Sequence, residues 1–446
     1  MSENNINRSF FMKKQLLSML LALGSVSSFA QTAATLDLAT CLQMADTANL
    51  TIRNARLDVL MNAKQKDAYL AARLPKLTAT GDYKYNAIIP GQVVPAAFFG
   101  GAPGTYSTVQ FGVPFNLSNT VQLTQILYNP QVNYGLRALD INQKVVEIQQ
   151  RLTEQQVKQE VASTFFNLQA ISKQLSFVKG NILSMDKLIH NTEALNREGL
   201  IVGTEVDKLK INRLSLVNAQ QTLEANQIQL ETLLRILIGL DESAQVNLVA
   251  DELVEKSILV DEATISRPEM ELIEAQKQMN AEERKGTNMA YLPSLSFYAA
   301  YNYTYNMKPE DDFRKGIESA FLGLRLDWTL FDGLEKYNKQ KVNAINRDKL
   351  ENQADLAEQQ LTLVTNNAKK QIDIQINSLA IAKEQLQLAQ RVYQQTEAQY
   401  NQGTVSSNEL ITADNSLQQA QTNVVAAYVQ LRQAELAYLK SIGNIN

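Results

Sequence analysis

Few residues in this 446-residue chain could make or break bonds. Histidine and cysteine occur once each, as His190 and Cys41. One imidazole and one thiol assemble neither a zinc cluster nor a His-dependent nucleophile. A lone cysteine also excludes an intrachain disulfide and reads as a small buried residue. No constellation supports an enzyme, and no cofactor or metal is expected. The acids that stand out are Glu205 and Glu409, each six residues beyond a glycine, Gly199 and Gly403. Thr204 in one case and Ser407-Asn408 in the other read as helix N-caps beside them. A carboxylate in a first helical turn is favoured by the helix dipole without any further role. The same carboxylate repeated around a narrow opening would favour cations and oppose anions. Placement suits either role.

These two acids belong to a larger repetition. Glu193 to Gly199 reads E-A-L-N-R-E-G, and Glu397 to Gly403 reads E-A-Q-Y-N-Q-G. Ile238-Gly239 likewise returns as Ile442-Gly443, so that Gly199, Glu205 and Gly239 all recur 204 residues on. Leu74-Pro75-Lys76-Leu77 returns as Leu292-Pro293-Ser294-Leu295, 218 residues on. A unit this large is no short-period solenoid and points to an architecture with twofold pseudo-symmetry.

Met12-Lys13-Lys14, an apolar run over 16–26 and Ser28-Phe29-Ala30 have the form of a secretory signal spanning residues 1–30, with the start at Met12 and the cut before Gln31. No cysteine follows that cut directly, which argues against an N-terminal lipid anchor. Beyond it, no apolar run is long enough for a transmembrane helix. The 42 basic and 46 acidic residues give no electrostatic case for nucleic acid.

Two stretches promise unusually long helices. Between 130 and 196, Val157, Val161, Phe165, Leu168, Ile171, Leu175 and Val178 follow spacings of 4, 4, 3, 3, 4 and 3. That is one face of a coiled-coil-like helix. The region 334–400 repeats the behaviour, with Ala354, Ala357, Leu361, Val364 and Ala368 on one stripe. About 65 residues of helix reach roughly 100 Å, too long for an ordinary compact domain. Shorter helices are expected over 38–73, 205–238, 269–290 and 409–442. Stacked end to end, a pair of them would nearly match one long helix.

Between short and long helix, in each half, the pattern changes to alternation. Over 77–89 one parity holds Leu77, Ala79, Tyr83 and Tyr85, and the other Thr78, Thr80, Asp82 and Lys84. Over 320–331, Leu322, Leu324, Leu326, Trp328 and Leu330 oppose Arg325, Asp327 and Thr329. The stretches 107–128 and 295–307 alternate similarly. Period two with aromatic ends is what a lipid-facing barrel strand requires, although a half-buried soluble sheet gives the same alternation. Four strands cannot close alone, and an open edge in lipid is costly, so the membrane reading demands other protomers. Two copies would supply eight strands and three would supply twelve; the residues alone do not choose.

The order of signal, short helix, hairpin, long helix, glycine turn and helix, then the same again, resembles the TolC outer-membrane efflux family over essentially the whole mature chain. Leu74-Pro75-x-Leu77 and Leu292-Pro293-x-Leu295 are similar to its helix-to-strand joints. Leu330-Phe331-Asp332-Gly333 and Leu127-Tyr128-Asn129-Pro130 are similar to its strand-to-helix joints, and Arg267-Pro268-Glu269 to the motif opening its second repeat. The tip turns of the family are matched by Gly199, Leu200, Ile201, Val202, Gly203, Thr204 and Glu205, and again by Gly403, Thr404, Val405 and onward to Glu409.

The resemblance implies a mainly α protein with a membrane β-barrel portion. Three protomers would each give four strands to a 12-stranded barrel, above a tunnel of long antiparallel coiled-coil helices. Its organisation would be a first repeat over 31–240 (hairpin 77–128, tip turn 197–204), an equatorial linker over 241–266, and a second repeat over 267–446 (hairpin 294–331, tip turn 401–407). It implies a homotrimer in the outer membrane, in contact with its lipid and projecting into the periplasm. There it would be the passive exit duct of a tripartite efflux or type I secretion system. The partners implied are a periplasmic adaptor, or membrane-fusion protein, docked on the tip turns, and an inner-membrane transporter of RND, ABC or MFS type. By the same resemblance Glu409 takes the first of two acidic constriction positions, with Thr412 in place of the second. Glu205 and Tyr400 match partners in a closed-state link between coils, with Val405 in place of a basic partner. The loops 90–105, apolar and rich in glycine and proline, and 308–315, highly charged, would face outside. The rival is a coiled-coil structural or interaction protein of the periplasm or cell surface, without a channel.

Overall fold

The computed structural model describes residues 35–241, 247–248, 258 and 267–445. The expected signal and nearly all of the expected linker lie outside them. The helices are α1 (Leu38–Ala48), α2 (Leu50–Leu70), α3 (Pro130–Arg197), α4 (Gly203–Ile238), α5 (Pro268–Met289), α6 (Glu335–Asn401) and α7 (Ser407–Ser441). The strands are β1 (Thr35–Leu36), β2 (Lys76–Tyr85), β3 (Gly91–Pro95), β4 (Tyr106–Gln110), β5 (Phe115–Tyr128), β6 (Asn247–Leu248), β7 (Ser294–Lys308) and β8 (Phe313–Asp327).

The two long helices form as their periodicity requires. Helix α3 has 68 residues and α6 has 67, so each runs about 100 Å. Pro130 opens α3 with its fixed φ, and Asn129 caps it by accepting a hydrogen bond from the Gln131 N–H. Of the stripe read along α3, all members but the half-buried Ile171 are buried. Val157, Val161, Phe165 and Leu168 meet Cys41 and Ala45 of α1, Leu234 and Ile238 of α4, and Val424, Tyr428 and Leu431 of α7 in one core. A second core nearer the tip joins Val178, Ile182, Met185 and Leu188 to Leu209, Tyr393, Leu410 and Leu417.

The stripe read along α6 needs correction. Ala354 and Ala368 are buried, but Val364 is exposed, together with Leu356, Leu363, Ile374, Ile381 and Leu388. Helix α6 lies at one flank of the chain, packing chiefly on α7 and α5, which among the described residues leaves its other apolar face bare. At the opposite flank α2 and α4 follow one another along α3, also with exposed apolar residues, among them Leu57, Leu60, Ile211, Leu214 and Ile228.

The single helix expected over 38–73 is interrupted at Asn49. Its side chain accepts from the Thr51 and Ile52 amides and donates to the Leu237 carbonyl at 2.8 Å. A residue that caps a new helix and ties it to the end of α4 cannot continue the old one. The remainder of the stretch, Ala71–Arg73, is a 3-10 turn.

Strands β2, β5, β7 and β8 form one antiparallel sheet in that order. Their bounds differ from expectation at three places. The first ends at Tyr85, because Asn86 turns to bond the Val113 and Pro114 carbonyls. The stretch 107–128 is two strands, divided at Gly112 and Pro114, where a proline cannot donate to a ladder. The last begins at Phe313 and stops at Asp327, so Trp328 and Leu330 follow the strand, with the Trp328 indole donating to the Tyr291 carbonyl at 3.0 Å.

Register sorts the sheet into two faces. Leu77, Val121, Tyr301 and Ala320 share one face with Tyr83, Leu117, Leu123, Phe297, Leu322, Leu324 and Leu326. The other carries Thr78, Thr80, Asp82, Asn116, Ser118, Thr120, Gln122, Asn302, Thr304, Asn306, Ser319 and Arg325. On that polar face Asn116 donates to Asn306 at 2.8 Å, and Ser118 and Thr120 both donate to the Asn302 side-chain oxygen. Asn119 and Glu318, both opposite Tyr303, and Gln125, opposite Phe297, are the polar exceptions on the apolar face. Among the described residues no helix packs on either face, and the apolar side chains of β2 and β8 are exposed. A half-buried soluble sheet would have one face covered; this one has neither.

Candidate functional site: the coiled-coil tip

The two tip turns are built alike. Helix α3 ends at Arg197 and α6 at Asn401. Gly199 (φ 73°) and Gly403 (φ 72°) then take the left-handed conformation that a residue with a Cβ adopts only at a cost. The next amide folds back five residues in each: Leu200 N–H to the Leu195 carbonyl and Thr404 N–H to the Gln399 carbonyl, both at 3.0 Å. This is a Schellman closure, which satisfies carbonyls that the helix end would orphan. The second turn adds a bond from the Thr404 hydroxyl to the Gln399 carbonyl, and the first one from the Asn196 amide to the Ile201 carbonyl at 2.6 Å.

The caps after the turns are shifted from those read in the sequence. Val202, which has no side-chain oxygen, is the N-cap of α4, and Gly203 and Thr204 lie in the first helical turn. Ser406 is the N-cap of α7, its hydroxyl accepting from the Glu409 amide, and Ser407 is already helical and buried. Leu200, Val202, Gly203, Thr204, Gly403 and Thr404 are exposed, while Val405 is half-buried against the tip core. The tip therefore ends in a small apolar knob, Leu200 and Val202, beside a more polar one.

The four residues read as a gate separate into two environments. Tyr400 is buried, and its hydroxyl lies 3.3 Å from that of Thr192, which itself donates to the Leu188 carbonyl at 2.8 Å. With the threonine proton committed, Tyr400 is the donor of that pair. Glu205 is held elsewhere. The Ser407 hydroxyl donates to one carboxylate oxygen and the Lys208 ammonium to the other at 2.9 Å. These bonds, the Ser407 one first, hold the Glu205 carboxyl below its ordinary range. Within the protomer, then, Glu205 and Tyr400 do not meet. Glu205 ties the start of α4 to the start of α7, one repeat to the other.

Glu409 and Thr412 are exposed on α7, on a stripe continued by Ser416, Gln419 and Asn423. Thr412, Ser416, Gln419 and Asn423 line a shallow polar groove with Gln385. Two residues that sequence reasoning passed over, Thr192 and Asp414, complete the tip together with Ser407, which it read only as a cap. The Thr192 hydroxyl reads as that of an ordinary helix residue until its partner is placed. Asp414 is buried on α7, where it accepts from Asn212 at 3.0 Å and from Gln418 at 2.6 Å. Burial pushes its carboxyl upward against those two donors. Its signal was present in the sequence: an acid at the core-facing spacing of Leu410, Ala413 and Leu417. Among the described residues no group of acids, histidine and cysteine could hold a metal ion.

The tip is a set of polar ties between coil ends, with exposed carboxylates and hydroxyls beside them. Residues 259–444 match the outer membrane efflux protein family. No curated protein sequence is significantly similar to the chain. Among solved structures, the outer-membrane channel OprN is 13% identical, with 91% of this chain and 90% of that one covered and a TM-score of 0.71. The outer membrane protein VceC of Vibrio cholerae is 12% identical over 91% and 96%, with a TM-score of 0.69. The CmeC outer membrane channel of Campylobacter jejuni is 15% identical over 94% and 91%, with a TM-score of 0.68. The second repeat thus matches the outer membrane efflux protein family, and along about nine-tenths of its length the chain shares the fold of these outer-membrane channels.

Proposed function

We propose that three copies of this chain close into a channel that spans the outer membrane and continues through the periplasm. It would be the passive exit duct of a tripartite efflux or type I secretion system. The observation that carries this reading is that both flanks of the protomer are unfinished. The sheet ends in free edges at β2 and β8, and its apolar face is bare. In lipid every free edge leaves unpaired backbone groups at several kcal/mol each, so β8 of one copy pairs with β2 of the next. At helix level the uncovered stripe of α6 steps by 7 or 11 residues through Leu356, Leu363, Ile374, Ile381 and Leu388. That spacing fits a coiled-coil seam against the bare apolar residues of α2 and α4 in a neighbour. Three copies give twelve strands, with the polar ladder of Asn116, Thr120 and Asn302 facing water inside. A coiled-coil protein without a channel accounts for the helices but leaves this sheet without a solvent.

The tip residues Gly199, Leu200, Val202, Gly203, Thr204, Gly403 and Thr404, with the half-buried Val405, are the docking point for the periplasmic adaptor in this reading, beneath which an inner-membrane transporter supplies energy. Fractionation tests the whole. The chain is expected in the outer membrane as an oligomer that dissociates only on heating. Recovery as a monomer from the periplasmic fraction would overturn it.

Glu205, Tyr400, Glu409 and Thr412 are the proposed gate, with the Glu205–Ser407 bond as its tie. The Glu205 carboxyl is held below its unfolded value, so the tie is complete above about pH 4.5 and is lost as pH falls through the lowered folded value. Changing Glu205→Gln together with Tyr400→Phe is expected to raise single-channel conductance in planar bilayers several-fold at neutral pH. Unchanged conductance would remove both residues from the gate.

A further inference from the structure

The loop between β2 and β5 is a built object. Strands β3 and β4 pair over five residues, from Gly91 opposite Gln110 to Pro95 opposite Tyr106. A 3-10 turn, Ala96–Phe99, caps them. The cap is tied by the Ala96 amide to the Thr105 carbonyl at 2.8 Å and the Gly101 amide to the Ala96 carbonyl at 2.9 Å. A Cβ at Gly101 would stand about 3 Å from the backbone of Ala96, so only glycine permits the approach. Asn86 closes the base through its bonds to Val113 and Pro114.

Among the described residues no other element packs closely on this finger, yet its surface is apolar. Ile88 is 86% exposed and Phe98 79%, with Val93, Phe99, Tyr106 and Phe111 also exposed. No charged residue occurs between Lys84 and Arg137. The other loop on the same side, by contrast, carries Lys308, Glu310, Asp311, Asp312, Arg314 and Lys315 within eight residues. A rigid apolar projection into water needs a cover.

We propose that the three fingers of a trimer converge on the channel axis and cover one another, sealing the outer mouth. This rests on the trimeric reading above. Two observations select other copies of this chain as the cover. The first is reach. Twelve strands about 4.8 Å apart and tilted about 40° enclose a barrel of roughly 12 Å radius. Five residues of β3 alone span about 17 Å, so a finger rooted in the wall reaches the axis. The second is charge. Identical segments brought together on a symmetry axis oppose like with like, which an uncharged finger tolerates and the charged loop would not. The aromatic tip, Phe98 and Phe99, then buries against its symmetry mates.

Crosslinking decides it. Cys41 is fully buried and its thiol is pushed up to about 11 by burial, so a new exposed cysteine is the reactive one. In intact cells carrying Phe98→Cys, a short membrane-impermeant bis-maleimide is expected to link protomers. A second variant reads the seal itself. In Thr120→Cys, on the lumen face, a bulky polymer-linked maleimide added outside is expected to react several-fold faster once Phe98→Ser and Phe99→Ser are also present. If the trimer persists on unheated gels but Phe98→Cys takes up mono-maleimide without crosslinking, and Thr120→Cys labelling is indifferent to the serines, the seal is refuted while the channel stands. Quenching of a label at Phe98→Cys by brominated lipid would make the membrane the cover instead and overturn the proposal. Absence of the trimer would refute the channel reading first.

Discussion

Replacing Arg432 with alanine is expected to destabilise the folded protein by about 3–5 kcal/mol, the cost of breaking a buried ion pair by removing one member. Arg432 and Glu435 are 1% and 2% exposed, at the level where α1, α3, α4 and α7 meet. The guanidinium donates to the Glu435 carboxylate at 2.6 Å and lies 5.4 Å and 5.1 Å from the ring centres of Phe166 and Tyr428. Tyr428 in turn donates to Gln169 of α3 at 3.0 Å. The pair thus fixes the register of α7 against α3 as well as contributing charge. Arg432→Ala strips the ion pair and both aromatic contacts and leaves Glu435 in the core. The double change Arg432→Met with Glu435→Leu should be much milder, because filling the site with apolar groups removes the desolvation cost along with the attraction. Thermal unfolding of the detergent-solubilised protein, followed by circular dichroism, checks both. Equal losses in the two variants would show that packing volume, not the charge pair, governs this core.

Placing an arginine at Leu322 should be comparably damaging. Leu322 is 76% exposed on the apolar face, between the loop end of β8 and its exit to the helices. A lipid-facing arginine near the bilayer midplane costs about 2–4 kcal/mol, incurred once per copy of the chain. Ser319 lies three residues away on the opposite face, across from Asn302. Ser319→Arg enters water in the barrel reading and should assemble normally. The yield of heat-dissociable oligomer in the outer-membrane fraction separates the two. A soluble sheet with the polar face outward would bury Leu322 against protein, and an uncovered one would tolerate both changes. Equal assembly of the two variants would therefore remove the assignment of faces.

The two predictions differ in what made them visible. The alternation that puts Leu322 and Ser319 on opposite faces is a property of any strand, because successive side chains point to opposite sides. It could be read before the sheet was known. The 4-and-3 spacing of Val157, Val161, Phe165 and Leu168 was legible for the same reason, since helical neighbours are set by local geometry alone. So were the glycines of the tip turns, where the left-handed conformation selects the residue type. Local reading failed where a distant partner intervened. Asn49 breaks a well-patterned helix because its amide reaches Leu237, and Val364 is bare because α6 lies at a flank that one chain cannot cover.

The candidate site divides in the same way. Glu205, Glu409, Tyr400 and the two turns could be located from the repeat, but their bonds could not. The Glu205 carboxylate is held by Ser407, 202 residues on, and Tyr400 by Thr192, 208 residues back. By itself, then, the sequence determined the duplicated plan, the two long helices, the alternating strands and the positions of the tip, because each follows from rules acting over a few residues. Only the tertiary structure decided the strand order β2-β5-β7-β8, the bare flanks and faces, and which polar groups tie one repeat to the other. Those depend on which surfaces are brought within a few ångströms of each other, and no periodicity along the chain encodes that distance.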